Sequence, residues 1–331
     1  MRVMCRKQDY SPVLPSPVWD VVSSTFPGGG KETNYMQNLF DIPEAQWKLE
    51  RKVRKLRERI RAKSLELGIT PEHTDQRHFY RIPKLNKVFA SVSAEHRYIK
   101  DPSIRNFEKN EALRNVKNNY KNYTDDNIDE YLKKASDSGV SVRDNAGSKG
   151  NYIHDCREIY FRRWIDSGLI EKPEGSVEQI ALSRNDIPEY FRNEVVSGCA
   201  GIDKFIKERN YIPIACELYV YDDRTECAGT LDDIAYVDWK LCLLDLKSSN
   251  QFKDVYTLQV MRYERMFYRL FRIKVEDVAI LKTDKAHRNY DLEWFNQEQK
   301  KHGVMANNYL VKFNKHWEKI IESRKTKIIT I

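Results

Sequence analysis

Residues 229–249, GTLDDIAYVDWKLCLLDLKSS, contain two predicted β-strands joined by a tight turn. The first strand is predicted at residues 227–237 and the second at 241–247, with the turn at 238–240. Side chains alternate along a strand, so Asp245 and Lys247 share one face while Leu246 points to the other. The turn is predicted to bring residues near 232 opposite residues 246–247, which would place Asp232 beside both.

Two carboxylates beside an ammonium group are costly to bury unless a cation compensates them. Mg²⁺ binds one or two carboxylates and completes its shell with water and phosphate oxygens. The pattern therefore predicts a site that hydrolyses phosphodiester bonds with a metal-activated water, which Lys247 would orient or deprotonate. In the alternative interpretation, Asp233, Asp238 and Asp245 only solvate strand ends, and Lys247 is an ordinary surface lysine. The run LCLLDLK favours a site, because it is an apolar strand that ends abruptly in charge.

The surrounding patterns place this hairpin in an α/β fold. Residues 211–220 alternate like a strand, residues 254–272 predict a helix, and the apolar run 275–283 predicts a fourth strand. A strand, a crossover helix and another strand favour parallel pairing. The predicted core is a helix, a three-stranded antiparallel meander, a helix and a parallel strand, flanked by helices. The remaining predicted segments are helices at residues 128–136, 151–167 and 303–324 and a loop at residues 139–150.

The chain before residue 81 is predicted to be an extension of the main domain at residues 81–331, whose motif core covers residues 145–285. Residues 1–40 are rich in Pro, Gly and Ser and predict an irregular leader. A helix is predicted from an N-cap at Asp41 to Gly68. Its outer face carries nine basic residues, Lys48, Arg51, Lys52, Arg54, Lys55, Arg57, Arg59, Arg61 and Lys63. Contact with a nucleic-acid backbone and a solvated face with local acidic partners are equal alternatives for this face.

Composition limits the function classes and the compartment. The net charge of +8 favours polyanionic partners. The six cysteines have no zinc-type spacing, and several lie in apolar strand patterns, where cysteine behaves as a small buried hydrophobic residue; this indicates a reducing, intracellular compartment. No apolar run of membrane-spanning length and no secretory signal is present, so a cytoplasmic location is predicted, with a short organellar transit peptide left open.

Five sequence elements together resemble a known family of nucleases. They are Gly150 with His154, Glu217, Gly229 with Asp232, Asp245 with Lys247, and Gln259 with Tyr263. In this order and at this spacing they resemble the PD-(D/E)XK nuclease superfamily, specifically its RecB-like exonuclease branch. The resemblance covers residues 130–285 and leaves the first eighty residues unexplained. The proline that gives the superfamily its name is absent, since Thr230 and Leu231 precede Asp232.

The resemblance implies a restriction-endonuclease-like core and a metal-dependent deoxyribonuclease, in this branch an exonuclease. The implied metal ligands for Mg²⁺ or Mn²⁺ are His154, Asp232, Asp245 and the backbone carbonyl of Leu246. Lys247 would be catalytic, with Asp232 and Asp245. The supporting and DNA-ordering residues would be Glu158, Glu217, Gln259 and Tyr263.

The implied partner is DNA, as single strands or duplex ends, with a helicase or a replication or recombination protein as a further possible partner. Some relatives bind an iron–sulfur cluster through cysteines near the C-terminus. The last cysteine here is Cys242, so no such cluster is expected. Two alternatives remain open. The first is a nucleic-acid-binding protein of the same fold with a decayed site, and the second is an adaptor whose charges are incidental.

Overall fold

The computed structural model describes residues 44–74, 77–93, 102–124, 127–248 and 254–328. Contacts between residues divide the chain into two compact units, Met1–Trp47 and Lys48–Ile331. The expected N-cap Asp41 and the irregular leader at residues 1–40 lie outside the described residues. No helix among the described residues is long and apolar enough to cross a membrane.

Helices and strands alternate along the described chain. The helices are α1 (Glu44–Leu67), α2 (Pro102–Asn119), α3 (Ile128–Asp166), α4 (Val177–Ser183), α5 (Glu189–Glu208), α6 (Asp254–Phe271) and α7 (Gln297–Ile328). The strands are β1 (Thr70–Thr74), β2 (Arg77–Ile82), β3 (Lys87–Ser91), β4 (Ile212–Asp222), β5 (Cys227–Val237), β6 (Lys240–Lys247), β7 (Asp277–Asp284) and β8 (Asn289–Trp294). The strands form one open mixed sheet of eight. The mixed α/β class predicted from the sequence is therefore confirmed.

The central strand is β5, and its two edges are occupied differently. β4 pairs antiparallel with it along nearly its whole length. β3 and β6 therefore share the opposite edge, where β3 pairs in parallel with residues 227–228 and β6 pairs antiparallel with residues 233–237. Between them, residues 229–232 have no ladder partner on that edge among the described strands. The GTLD motif thus lies in a gap of the sheet.

The β5–β6 hairpin forms as predicted but with a different register. Its turn contains two residues, Asp238 and Trp239, with φ of 47° and 71°. Both are left-handed, as in the two-residue turns whose twist matches that of the strands. Because Lys240 belongs to β6 rather than to the turn, Asp233 pairs with Leu244. Asp232 is therefore level with Asp245, and the expected pairing with residues 246–247 is wrong.

A crossover through α6 connects β6 to β7. These strands pair in parallel from Cys242↔Asp277 to Lys247↔Lys282, which confirms the predicted parallel strand. β8 then adds antiparallel to β7. This strand was not predicted, although residues 289–294 alternate in burial as an edge strand does.

Three further unpredicted strands extend the other side of the sheet. β1 pairs with β2 and β2 with β3, both antiparallel. β1 contains Pro71, which weakens the sequence signal of a strand but is tolerated at the edge of a sheet. The predicted domain boundary after residue 80 lies inside β2, while the larger compact unit begins at Lys48.

The loop predicted at residues 139–150 is instead part of α3, a helix of 39 residues. Its glycines and serines favour a loop, so local propensity predicted wrongly here. The helix is supported by packing, since Ala135 is buried and α2 contacts α3. At the other end of the segment, Gly150 packs against Ser248.

The sheet is buried on both faces. α1 and α6 cover one face, where Val53 and Phe267 pack with Leu243. α3, α4 and α5 cover the other, where Trp164 packs in the cluster that contains Leu244. Alternate residues of β6 join opposite clusters, which explains why LCLL is apolar without alternation. Five cysteines, Cys156, Cys199, Cys216, Cys227 and Cys242, are buried free thiols within these layers.

One basic residue of α1 does not belong to the solvated face on which the sequence placed it. Arg57 is 7 % exposed, and its guanidinium donates to the carbonyls of Pro213 at 2.8 Å and Leu169 at 2.8 Å. Burial lowers its pKa to about 10. Arg57 therefore anchors α1 to the sheet, so its predicted place on the outer face is wrong.

Candidate metal centre

The gap beside β5 is closed by a side chain. Asp232 Oδ2 accepts a hydrogen bond of 2.7 Å from the backbone N–H of Leu246, at the point where β6 has separated from β5. Asp232 is buried, and burial opposes its ionisation. The nearby His154, Arg157 and Lys247, together with the Leu246 N–H, outweigh that effect and lower its pKa. Asp232 is therefore held as a carboxylate at neutral pH.

Asp245 and Lys247 lie on the neighbouring strand as the two-residue period requires. Asp245 is 1 % exposed, and Lys247 Nζ lies 2.5 Å from its Oδ2. Burial raises the pKa of Asp245 to about 6, although Lys247 acts in the opposite direction. Neither Asp245 oxygen accepts a well-aligned hydrogen bond within the described structure. Asp245 thus retains acceptor capacity for a further positively charged group.

His154 reaches the same place from α3. Its Nδ1 lies 3.9 Å from Asp232 Oδ2, and the side chain is 28 % exposed. Burial lowers the pKa of His154 to about 4, so its imidazole is neutral at pH 7. A neutral imidazole is the form that binds a metal ion. The carbonyl of Leu246 is a predicted metal ligand. A hydrogen bond between His154 and the Leu246 backbone acts to raise the pKa of His154, against the larger effect of burial.

Glu217, predicted as a supporting residue, belongs to the closest group of potential ligands. One ligand atom each from His154, Glu217 and Asp232 lie within 4.8 Å of one another. Asp245, predicted as the third ligand, is not in this group of three. Burial raises the pKa of Glu217 to about 8. Its φ of 48° is left-handed, a conformation that costs about 1–3 kcal/mol in a non-glycine residue and often marks a functional position.

Two residues of the cluster, Arg157 and Asp233, were not predicted from the sequence. The guanidinium of Arg157 is fully buried, contacts Glu217 closely and donates to Asp233 Oδ2 at 3.1 Å. Burial would lower its pKa, but the carboxylates of Asp233, Glu217 and Asp232 raise it well above the usual value. Burial in turn raises the pKa of Asp233 to about 7. A helical spacing of three from His154 was the one signal for Arg157.

The other predicted residues are placed around this cluster. Glu158 pairs at 2.6 Å with Arg162 rather than with the predicted ligands. Gln259 Nε2 donates to Tyr263 Oη at 3.3 Å, so these two act as a pair on α6. Lys247 Nζ also lies 5.2 Å from the centre of the Tyr256 ring, which restricts the ammonium group further.

The two motif glycines permit close packing at the site. A Cβ at Gly229 would lie 2.6 Å from a ring carbon of Tyr263, and a Cβ at Gly150 would lie 2.5 Å from Ser248 Oγ. Side-chain carbons do not approach other atoms this closely. Gly229 is therefore required sterically by the Tyr263 ring, whereas a Cβ at Gly150 would require only the Ser248 hydroxyl to move at the close approach of α3 to the end of β6.

The charges in the cluster do not balance. The carboxylates are Asp232, Asp233, Asp245 and Glu217, and the buried cations are Arg157 and Lys247. When all four carboxylates are ionised, four negative charges against two positive ones leave an excess of two, whereas near pH 7 the raised pKa values of Glu217 and Asp233 keep much of this charge neutralised by protons. Uncompensated buried charge costs several kcal/mol per ion. One divalent cation beside Asp245, whose Oδ1 has no hydrogen-bond partner among the described residues, would take the place of these protons.

No protein-family model matches this chain. No curated protein matches it either.

Proposed function

We propose that this protein is a metal-dependent DNA nuclease, an exonuclease with the restriction-endonuclease-like core and the site of the PD-(D/E)XK superfamily. The observation that carries the proposal is the group of potential ligand atoms of His154, Glu217 and Asp232, which lie within 4.8 Å of one another beside the Asp245–Lys247 pair at the end of a central strand. A structural ion-pair network has no need of a neutral imidazole among carboxylates, because such an imidazole compensates no charge. Hydrolysis of phosphodiester bonds uses such an arrangement for a divalent cation and a nearby ammonium group.

Mg²⁺ or Mn²⁺ would be held by oxygens of Asp232 and Asp245, the carbonyl of Leu246 and the imidazole of His154, with Glu217 able to contribute. When bound, the ion would polarise the phosphate and lower the pKa of a water molecule, so that this water can lose a proton and attack the phosphorus. His154 is neutral at pH 7 and so can offer its lone pair. Asp245 becomes an anion near pH 6, so binding should strengthen as pH rises through this value.

The remaining residues would hold the reacting groups in place. Lys247 keeps its positive charge, since Asp245 and Asp232 raise its pKa despite burial. Its ammonium group can therefore stabilise negative charge that develops on the phosphate. Arg157 neutralises part of the carboxylate cluster and fixes Glu217 and Asp233. The Gln259–Tyr263 pair would order the DNA strand next to Gly229.

The experiment is a cleavage time course with purified full-length protein on labelled DNA. Four substrates are compared, single- and double-stranded, each linear and circular, in Mg²⁺, in Mn²⁺ and in EDTA. We expect metal-dependent release of nucleotides from linear DNA and none in EDTA. Binding of DNA without cleavage in either metal would refute the catalytic proposal and support a nucleic-acid-binding protein with a decayed site. Cleavage of circles would refute the exonuclease assignment.

A further inference from the structure

A positively charged surface lies away from the metal centre, between α1 and the segment that follows α6. It is a groove of about 350 Å³. Four basic residues line it, Lys52, Lys55, Arg59 and Lys274, with Glu276 as the one acidic residue. We refer to it as the α1 groove. A net excess of three positive charges in a concave surface concentrates the field and attracts polyanions.

Two of these cations are held in place before any ligand binds. Arg59 Nη2 donates to the carbonyls of Phe271 at 2.8 Å and Arg272 at 3.3 Å, at the C-terminal end of α6. Lys52 Nζ lies 5.1 Å from the centre of the Tyr236 ring. Restricting cations in advance lowers the entropic cost of binding. These contacts use carbonyls and a ring, so they leave the positive charges without a neutralising partner.

The acidic partners expected of a solvated helix face are missing from the α1 groove. No carboxylate of the described residues forms an ion pair with Lys52, Lys55, Arg59 or Lys274. The carboxylate of Glu276 instead accepts a hydrogen bond of 3.1 Å from the backbone N–H of Leu241. The solvated-face alternative therefore does not describe this side of α1.

The groove on the opposite side of α1 provides a comparison. It is larger, about 570 Å³, and extends to Glu217. Its four arginines are nearly balanced by three carboxylates, Glu58, Asp166 and Glu217, and one of the arginines is the anchored Arg57. On α1 the positive excess is thus larger in the α1 groove than in the groove on the opposite side of the same helix.

We propose that the α1 groove binds the phosphate backbone of a nucleic-acid strand whose end lies in the metal centre. This inference rests on the proposed nuclease function for the identity of the polyanion. Leu241 in the groove and Lys247 in the centre lie six residues apart on β6, about 20 Å along the strand, and the part of β6 between them is buried, so a bound nucleic acid would follow the protein surface over at least this distance. Successive phosphates of one helical strand are about 3.4 Å apart along the axis, so this separation corresponds to about six nucleotides or more.

The test variant is Lys52→Ala combined with Lys55→Ala and Lys274→Ala, all exposed side chains whose loss should not affect folding. The control carries the same loss of charge elsewhere, at the exposed Lys133, Lys172 and Lys207. Binding of a fluorescent 20-nucleotide strand is measured by anisotropy in EDTA at several salt concentrations. Each lost phosphate contact reduces the steepness of the plot of log K against log salt by about 0.7. With three lysines removed, we expect the slope of the test variant to be smaller than that of the wild type by about 2, and the slope of the control to be unchanged.

A cleavage assay then distinguishes this groove from the metal centre. In Mg²⁺, kcat/KM of the test variant should fall on the 20-nucleotide strand and remain that of the wild type on a trinucleotide, which is too short to reach the groove. Equal salt slopes for the test variant and the control would overturn the proposal that the α1 groove binds the phosphate backbone. Preferential binding of an acidic peptide in this groove would overturn it as well. If the wild type cleaves nothing, the nuclease proposal fails, while the anisotropy measurement still decides whether the groove binds nucleic acid.

Discussion

Replacing Asp233 with Asn should make the stability of the metal-free protein less sensitive to a rise in pH from about 4 to 7. The Asp233 carboxylate lies 3.1 Å from Arg157, and an ion pair of this length is commonly regarded as stabilising. Burial nevertheless raises the pKa of Asp233 from 3.8 to about 7, so the loss of hydration outweighs the attraction. The native state therefore retains a proton that the unfolded state releases near pH 4. Stability should fall as pH rises from about 4 to 7 and stay constant above.

The magnitude follows from the size of the pKa difference. One pKa unit corresponds to about 1.4 kcal/mol, so the full difference of about three units amounts to about 4 kcal/mol. Between pH 5 and pH 8 about two units remain, which gives about 3 kcal/mol. The amide introduced by Asp233→Asn cannot titrate and still offers an oxygen to Arg157. Between pH 5 and pH 8, the free energy of unfolding of the wild type should accordingly fall by up to about 3 kcal/mol more than that of Asp233→Asn.

The assay is urea unfolding of both proteins at pH 5 and pH 8 in EDTA, analysed by linear extrapolation. Asp291→Asn, which alters the ion pair of the exposed Asp291 with Lys282, is the control and should follow the wild type. If Asp233→Asn loses as much stability as the wild type between the two pH values, or more, burial does not dominate at Asp233. The reasoning about the whole carboxylate cluster would then be wrong.

Three further predictions concern the same site. Arg157→Leu should lower the free energy of unfolding at pH 8 by about 3–5 kcal/mol, because it leaves the Asp233 and Glu217 carboxylates buried without their cation. Urea unfolding measures this loss, and an effect under about 1 kcal/mol would contradict the prediction. Gly229→Ala should lower stability by about 1–3 kcal/mol, because the added Cβ displaces Tyr263. The control is Gly147→Ala in α3, whose Cβ meets no atom within 4 Å and which should raise stability slightly. Equal effects of the two substitutions would refute the steric role of Gly229. Mn²⁺ at a hundredfold excess over its Kd should stabilise the wild type by about 3 kcal/mol but not Asp232→Asn, and equal stabilisation of both would place the ion elsewhere.

The central hairpin and its surroundings could be predicted because their signals are local. An apolar run ending in Asp245 and Lys247, a turn near Asp238 and a helix before β7 define β5, β6, α6 and the parallel crossover. The register error shows the limit of that reasoning. One residue assigned to the turn instead of the strand shifted the expected partner of Asp232.

The part of the site that could not be predicted depends on tertiary burial. Arg157 is an ordinary helix residue in the sequence, and only the convergence of three carboxylates on α3 makes it a buried counterion. Glu217 gave no signal of its left-handed backbone, which accompanies its place beside His154. Asp233 looked like a neighbour of a ligand, yet it is the acid that Arg157 compensates.

The same limit applies to the elements outside the core. β1 has little strand propensity, whereas β2 and β3 contain strand-favouring residues such as Tyr80 and Val88 in segments of only five or six residues; β3 joins the sheet at the free edge of β5 beside residues 227–228. The middle of α3 has the composition of a loop and becomes helical through contacts with α2. In both cases long-range packing outweighs local preference.

The most direct test of the proposed nuclease site compares two Asp–Lys pairs of the same sheet. Asp245 with Lys247 lies in the cluster, while the exposed Asp291 on β8 pairs at 2.8 Å with the partly buried Lys282 on β7, outside the cluster. Initial rates of Mg²⁺-dependent DNA cleavage are measured for Asp245→Asn, Lys247→Met, Asp291→Asn and Lys282→Met. The account predicts a loss of about 100-fold or more for the first two and wild-type rates for the last two. Comparable rates for all four variants, or no cleavage by the wild type, would contradict it.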